Sequence, residues 1–335
     1  MVVTGASSLD GARIVITGGA GFIGSNLARE LVRQRASVRL IDSLIPEYGG
    51  NLQNLADISD EVELNISDVR DPHSIKTLIR DADIIFNLAG QTSHLDSMTD
   101  PQTDLDINAG AQLSILEACR AGNPDASIVF ASTRQIYGKP TYLPVDEQHP
   151  VRPVDVNGIH KWAGETYHVL FHQVYGMNTT ALRLTNTYGP GMRVRDARQT
   201  FLGVWIRQAI TGDEIQVFGS GQQKRDFNYV DDCVNALIMA ATNPAAIGKV
   251  FNLGSSEVVS LEGVAQLLTD LVPTSTYSLV PFPPDRERID IGDYYGDISL
   301  ILDTLGWEPH ISLQEGLTRT LDYYKANGPL YWDQP

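Results

Sequence analysis

A parallel, doubly wound α/β sheet with a smaller C-terminal α/β lobe is the fold this chain predicts, and three observations predict it. Short apolar runs alternate with helical patterns from Arg13 to Leu184. The first run breaks into a glycine-rich turn that opens a helix, and beyond Asn186 the texture changes to Tyr188, Gly189, Pro190, Gly191 and an arginine-rich loop. Strand–helix alternation of this kind places helices on both faces of a parallel sheet.

In chain order, Arg13 to Thr17 is a β-branched strand and Phe22 to Arg35 carries apolar residues at helical spacing. Val38 to Ile41, ending at Asp42, and Glu61 to Leu64 read as strands, Ile75 to Arg80 as a short helix, and Asp83 to Leu88 as a buried strand. Leu113, Leu116, Glu117 and Arg120 belong to a long helix that closes at Gly122 before Pro124. Ser127 to Ala131 is a strand, Lys161 to Tyr175 a helix stopped by Gly176, and Thr179 to Leu184 a strand. The second half predicts a helix over Phe201 to Ile210 and a strand near Ile215 to Phe218. The Val230 to Ala241 helix and the Val250 to Leu253 strand should return to the main sheet, and helices follow near Leu300 and Leu313 to Tyr323. Tyr277 to Asp293, rich in proline and charge, reads as a loop. The predicted division is an N-terminal extension (1–11), a nucleotide-binding domain (12–185, with returns near 230–254) and a second lobe (186–229 and 255–335).

Composition narrows the function. Across 335 residues, 25 Lys and Arg against 41 Asp and Glu leave a net charge of −16, which repels phosphate backbones and anionic membranes. Neither nucleic acid nor membrane is an expected partner. The two cysteines, Cys119 and Cys233, have no ligand-like spacing, so no metal is expected, and a reducing, cytoplasmic compartment is.

The sharpest motif is Gly19-Ala20-Gly21-Phe22-Ile23-Gly24, directly after a strand and opening a helix, with Asp42 at the end of the next strand. Glycines let the backbone approach a pyrophosphate at the helix N-terminus, and an acid about 20 residues on bonds the adenosine ribose. A carboxylate there repels a 2′-phosphate, so NAD is expected over NADP.

Thr17 to Gly24, Asn87-Leu88-Ala89-Gly90, Tyr137-Gly138, Lys161 with Ala163-Gly164-Glu165, Arg183 to Pro190, Arg225-Asp226-Phe227 and Asn252-Leu253-Gly254 resemble the extended short-chain dehydrogenase/reductase family, and together its nucleotide-sugar epimerases and dehydratases. The resemblance implies a Rossmann domain, a small substrate lobe, a homodimer, and an NAD that takes a hydride from a sugar carbon and returns it. It implies further that Gly18, Gly21, Phe22, Ile23 and Gly24 contact the pyrophosphate, Asp42 and Ser43 the adenosine ribose, Asp68 and Val69 the adenine, and Leu88, Ala89 and Gly90 the nicotinamide. Lys161 would bond the nicotinamide ribose. Ser93, Thr133, Asn186, Arg225 and either Arg286 or Arg288 would hold the substrate.

The departure is at the residue four before Lys161, where the family places a tyrosine and this chain has Asn157. An amide cannot act as a general base at neutral pH. His160, His94, or a water held by Thr133 and Asn157 could replace the phenol, with His160 read as a helix-surface residue and His94 as a pocket residue. Arg134-Gln135 stands where dehydratases of the family carry Asp-Glu, which disfavours 4,6-dehydration. Arg193, Arg195, Arg198 and Lys224 read equally as phosphate contacts or as a solvated face. Asp96, Asp100, Asp104 and Asp106 read as an acidic run complementing a helix dipole. Stripes of Ile107, Leu113, Leu116 and of Trp162, Val169, Val174 read as a dimer face or as a cover for the sheet. The expected function is epimerisation of a nucleotide sugar by transient oxidation, against dehydration or a non-catalytic NAD-bound sensor.

Overall fold

A computed structural model describes residues 9–198 and 200–332, so the predicted extension lies outside the described residues up to residue 8. Strands are β1 (Arg13–Thr17), β2 (Ser37–Asp42), β3 (Val62–Ile66), β4 (Ile84–Asn87), β5 (Ser127–Thr133), β6 (Asn178–Leu184), β7 (Asn186–Tyr188), β8 (Ile215–Phe218), β9 (Lys224–Tyr229), β10 (Val250–Asn252), β11 (Val258–Ser260) and β12 (Tyr277–Val280). The helices that matter to the site are α1 (Phe22–Arg33), α2 (Pro72–Leu78), α3 (His94–Thr99), α4 (Pro101–Leu105), α5 (Ala111–Gly122), α6 (Val156–Tyr175), α7 (Phe201–Thr211) and α8 (Val230–Thr242).

Seven strands form one sheet in the order β10-β6-β5-β4-β1-β2-β3, every pair parallel. Strand order reverses at β1, between β2 and β4, and that reversal opens a crevice at the strands' C-terminal ends. Alternation along β1 feeds two cores. Ile14 and Ile16 join a cluster with Leu27 and Leu31 of α1 and Leu237 of α8, whereas Val15 joins Ile75, Ile115, Leu116 and Phe171 on the opposite face. The first cluster continues through Trp205 of α7 to Leu317 and Tyr324, so packing is unbroken from the sheet into the C-terminal segments. A three-stranded sheet β11-β9-β7 and a two-stranded sheet β12-β8 complete the lobe.

Two expectations needed correction, and a third was open between two readings. Tyr277 to Asp293 is not all loop: Tyr277–Val280 pairs with β8, and Pro284–Glu287 is a short helix, because a partner strand some 60 residues away supplies the ladder that local composition cannot reveal. α6 starts at Val156 rather than Lys161, since the Asp155 carboxylate accepts the Gly158 N–H at 2.7 Å and caps the helix there. In the apolar stripes, Ile107 and Leu116 are buried against the sheet, while Leu113, Trp162 and Val174 are exposed.

Candidate active site

The glycine turn is built by close approach. Gly18 has φ +72°, and a Cβ there would lie 3.1 Å from the Ala89 backbone; a Cβ on Gly24 would lie 2.2 Å from the Gly18 carbonyl oxygen. Only glycine lets α1 start this near the end of β1. Gly21 caps α1 without a side chain, so the first-turn N–H groups of Phe22, Ile23 and Gly24 are left for a ligand, and all three residues line the cavity in the crevice. Asp42 ends β2 in the same cavity, nearly buried, with its carboxylate accepting the Ala20 N–H at 3.0 Å and the Leu44 N–H at 2.8 Å. Burial pushes its carboxyl upward, against the two N–H bonds. Ser43, Asp68, Val69, Leu88, Ala89 and Gly90 complete the wall, with Asp68 held by Arg70 at 2.6 Å. The groove fits a dinucleotide: a glycine cradle at the helix terminus, a carboxylate at the end of the next strand, and a lysine at the far end.

That lysine is Lys161 on α6. It is buried 4.6 Å from the centre of the Phe130 ring, and a Cβ on Gly90 would lie 3.4 Å from its Nζ. Burial pulls its ammonium down to about 8, with Asp104 and Glu165 opposing the shift. Thr133, at the end of β5, faces the same cavity, and its hydroxyl accepts the Gln135 N–H at 3.2 Å. The loop after β4 is fixed from beneath, because Leu88 and Ala89 N–H groups both donate to Thr17 Oγ1 at 3.1 Å.

Asn157 lines this cavity too, but its amide is committed. Nδ2 donates to the Gln91 carbonyl at 2.8 Å and to Asp104 Oδ2 at 3.0 Å, while the other Asp104 oxygen meets His160 Nδ1 at 2.7 Å. Two readings are corrected here: Asp104 is fully buried, so it is not part of a dipole-facing run, and His160 is tied to it, so it is not a free surface histidine. Asp100 does cap α4, accepting the Thr103 N–H. His94 opens α3, lines both this cavity and the neighbouring one, and holds Nδ1 3.0 Å from the buried Asp155 carboxylate. Burial alone would raise the Asp155 carboxyl; His94, the Gly158 N–H and the Gln135 amide together hold it below the usual range.

The neighbouring cavity, about 620 Å³, is large enough for a sugar nucleotide. Ser93, Asn186, Arg225 and Arg286 line it. Arg225 is buried, reaches Asp290 at 3.6 Å and donates to the Lys224 carbonyl at 2.8 Å; burial, then the neighbouring Arg134, pull it down to about 10. Ser93 also caps α3 through the Asp96 N–H. Arg288 is exposed and does not line the cavity, so of the two candidates Arg286 is the one the fold brings in. Arg193 is buried and pairs with Asp196 at 2.5 Å, whereas Arg198 lines the neighbouring cavity and pairs with Asp96 at 3.3 Å. Among the described residues no group of three His, Cys, Asp or Glu side chains could hold a metal ion, and no helix is long and apolar enough to cross a membrane.

A model of the NAD dependent epimerase/dehydratase family matches residues 14–254. The chain belongs to that family. It is 31% identical to a putative UDP-glucose 4-epimerase of Methanocaldococcus jannaschii over 94% of this chain and 99% of that protein. Among solved structures, an epimerase from Methanothermobacter thermautotrophicus superposes with a TM-score of 0.91 at 25% identity, covering 97% of this chain and 96% of that one. The UDP-glucuronic acid 4-epimerase of Bacillus cereus, solved with UDP-glucuronic acid and NAD, gives 0.83 at 28%, covering 94% and 99%. NAD is the cofactor of this NAD-dependent epimerase/dehydratase, and the glycine cradle with Asp42 is where this chain has the groups to hold it.

Several family motif residues support the site from below. Arg183 pairs with Glu165 at 2.6 Å, donates to Tyr137 Oη at 2.6 Å, and Tyr137 donates to Asn252 at 2.6 Å, all buried. This chain of bonds ties α6, β6, β10 and the turn that follows β5 together behind Lys161. Sequence reading missed Asp104 and Asp155. Asp155, three residues before Gly158, carries a helix-cap signal that could have been found, whereas the partners of Asp104 lie 53 and 56 residues away and leave no local trace.

Proposed function

We propose that this enzyme epimerises a nucleotide sugar by transient oxidation of a ring hydroxyl, with His94 in the role that the family gives to tyrosine. The observation that carries the reading is convergence: Thr133, Lys161 and His94 face one cavity with the glycine cradle, and His94 also lines the cavity of Asn186, Arg225 and Arg286. NAD, when bound, supplies a reversible hydride acceptor. Thr133 Oγ1 orients the hydroxyl, His94 Nε2 takes its proton while Asp155 stabilises the imidazolium through Nδ1, and the Lys161 ammonium supplies positive potential. Asn186, Arg225 and Arg286 hold the diphosphate, with 186–229 and 255–335 acting as the substrate lobe on a 12–185 domain to which 230–254 returns. Arg134-Gln135 supplies no acid–base pair for eliminating water, which favours epimerisation over dehydration. The exposed Ile159, Trp162, Leu170 and Val174 of α6, with Leu113 of α5, support a homodimer, and two buried free thiols support a reducing cytoplasm.

The test is incubation of the purified, NAD-loaded chain with UDP-sugars, following product mass and stereochemistry. An isomer of unchanged mass is expected. A product lighter by water would make the enzyme a dehydratase, and NAD bound without turnover of any UDP-sugar would favour a sensor.

A further inference from the structure

Arg134 follows Thr133 directly and lines both cavities, at the junction where a sugar ring has to lie to bring its hydroxyl to Thr133. Its Nη2 donates to Asn186 Oδ1 at 3.0 Å, and its guanidinium lies 5.0 Å from the centre of the Tyr294 ring. Nη1 is closed from solvent and has no hydrogen-bond partner. Asp226, Asp290 and Asp155 act on Arg134 only from a distance. Arg183, one strand away, shows what a satisfied arginine looks like in this protein: Glu165 takes its Nη2 at 2.6 Å and its Nε at 3.0 Å.

A guanidinium enclosed without a carboxylate is costly to keep, and a second cation, Arg225, repels it across the same cavity. An arriving anion offsets both. The diphosphate has Arg225 and Arg286, which line the substrate cavity alone, whereas Arg134 stands at the reacting end. Its planar fork matches a carboxylate. We propose that Arg134 receives a carboxylate carried by the sugar ring, so that the preferred substrate is an acidic nucleotide sugar. This rests on the nucleotide-sugar reading of the site and narrows it to uronic-acid-type substrates.

The test uses the NAD-loaded full chain with UDP, UDP-glucose and UDP-glucuronic acid as probes, measuring Kd by calorimetry and kcat/KM where turnover occurs. The unaltered chain is expected to bind the acid about 10- to 100-fold more tightly than the neutral sugar. Arg134→Met should bring the affinities for UDP-glucuronic acid and UDP-glucose together, and Arg134→Lys should restore part of the difference. Equal affinity for both sugars in the unaltered chain, a measurement independent of how any variant folds, overturns the proposal. Loss of UDP binding in Arg134→Met also overturns it, by assigning the arginine to the diphosphate. Failure of the unaltered chain to bind UDP at all, with NAD retained, defeats the nucleotide-sugar reading itself and this proposal with it.

Discussion

Two histidine–aspartate pairs flank Asn157, alike in chemistry and different in what they reach. His94 sits 3.0 Å from Asp155 with a third of its side chain exposed, on the wall of both cavities. His160 sits 2.7 Å from Asp104 with 13% of its side chain exposed, and it lines neither; the second Asp104 oxygen is taken by Asn157. The first pair keeps His94 on the walls of both cavities, and the second spends its polar capacity on holding α4 to α6. In the proposed mechanism the first pair does the chemistry and the second is scaffold, and access to the cavity separates them.

The largest effect expected from breaking this contrast is at His94. His94→Asn should lower kcat by roughly 10²- to 10⁴-fold in protein that still melts cooperatively, with only the small loss of stability that goes with the Asp155 contact, read by initial rates beside a thermal melt; an undiminished kcat would place the base elsewhere. Asp104→Ala should act the other way, costing about 2–4 kcal/mol of stability because two buried donors lose their acceptor, read by urea denaturation. Asn157→Tyr, which restores the family's side chain, should destabilise by about 1–3 kcal/mol through overpacking and loss of the Asp104 and Gln91 bonds, without raising turnover. A gain in turnover would show that the amide had silenced a tyrosine-dependent site.

Titration sharpens the comparison with smaller effects. Lys161 loses its charge above about 8, so kcat/KM should fall on the alkaline side of that value, and Lys161→Arg should remove the limb. Its lowered pKa also means that the unfolded chain holds more protons between about 8 and 10.5, so stability rises across that interval. Asp155 has the same sign in an acid window. Its carboxyl is held below the ordinary range, so its contribution is present above the unfolded value and is lost as pH falls through the folded one. Asp155→Asn should therefore flatten the acid limb of a stability–pH curve.

The cofactor half of the site was legible because its signal is contiguous. Gly18 to Gly24 act through backbone that folds on itself within one turn, and Asp42 follows at the end of the next strand in a fixed strand–helix–strand unit. The substrate half was only partly legible. Asn186 and Arg225 came from motif resemblance, but the sequence leaves Arg286 and Arg288 as equal candidates where the fold brings in only Arg286. β12 was read as loop for a related reason, as its stabilisation comes from pairing with β8 and not from its own pattern.

By itself, the sequence determined the parallel sheet, the glycine cradle and the absence of the family's tyrosine, because periodicity, glycine geometry and residue identity act within a few positions of the chain. Tertiary structure alone decided which charged groups are bound to one another and which are left open. Asp104 meets His160 and Asn157, Asp155 meets His94, and Arg134 meets no carboxylate among the described residues. Those outcomes depend on segments more than 50 residues apart arriving side by side in a buried setting, where a charge must find its partner in the fold or in the ligand that completes it.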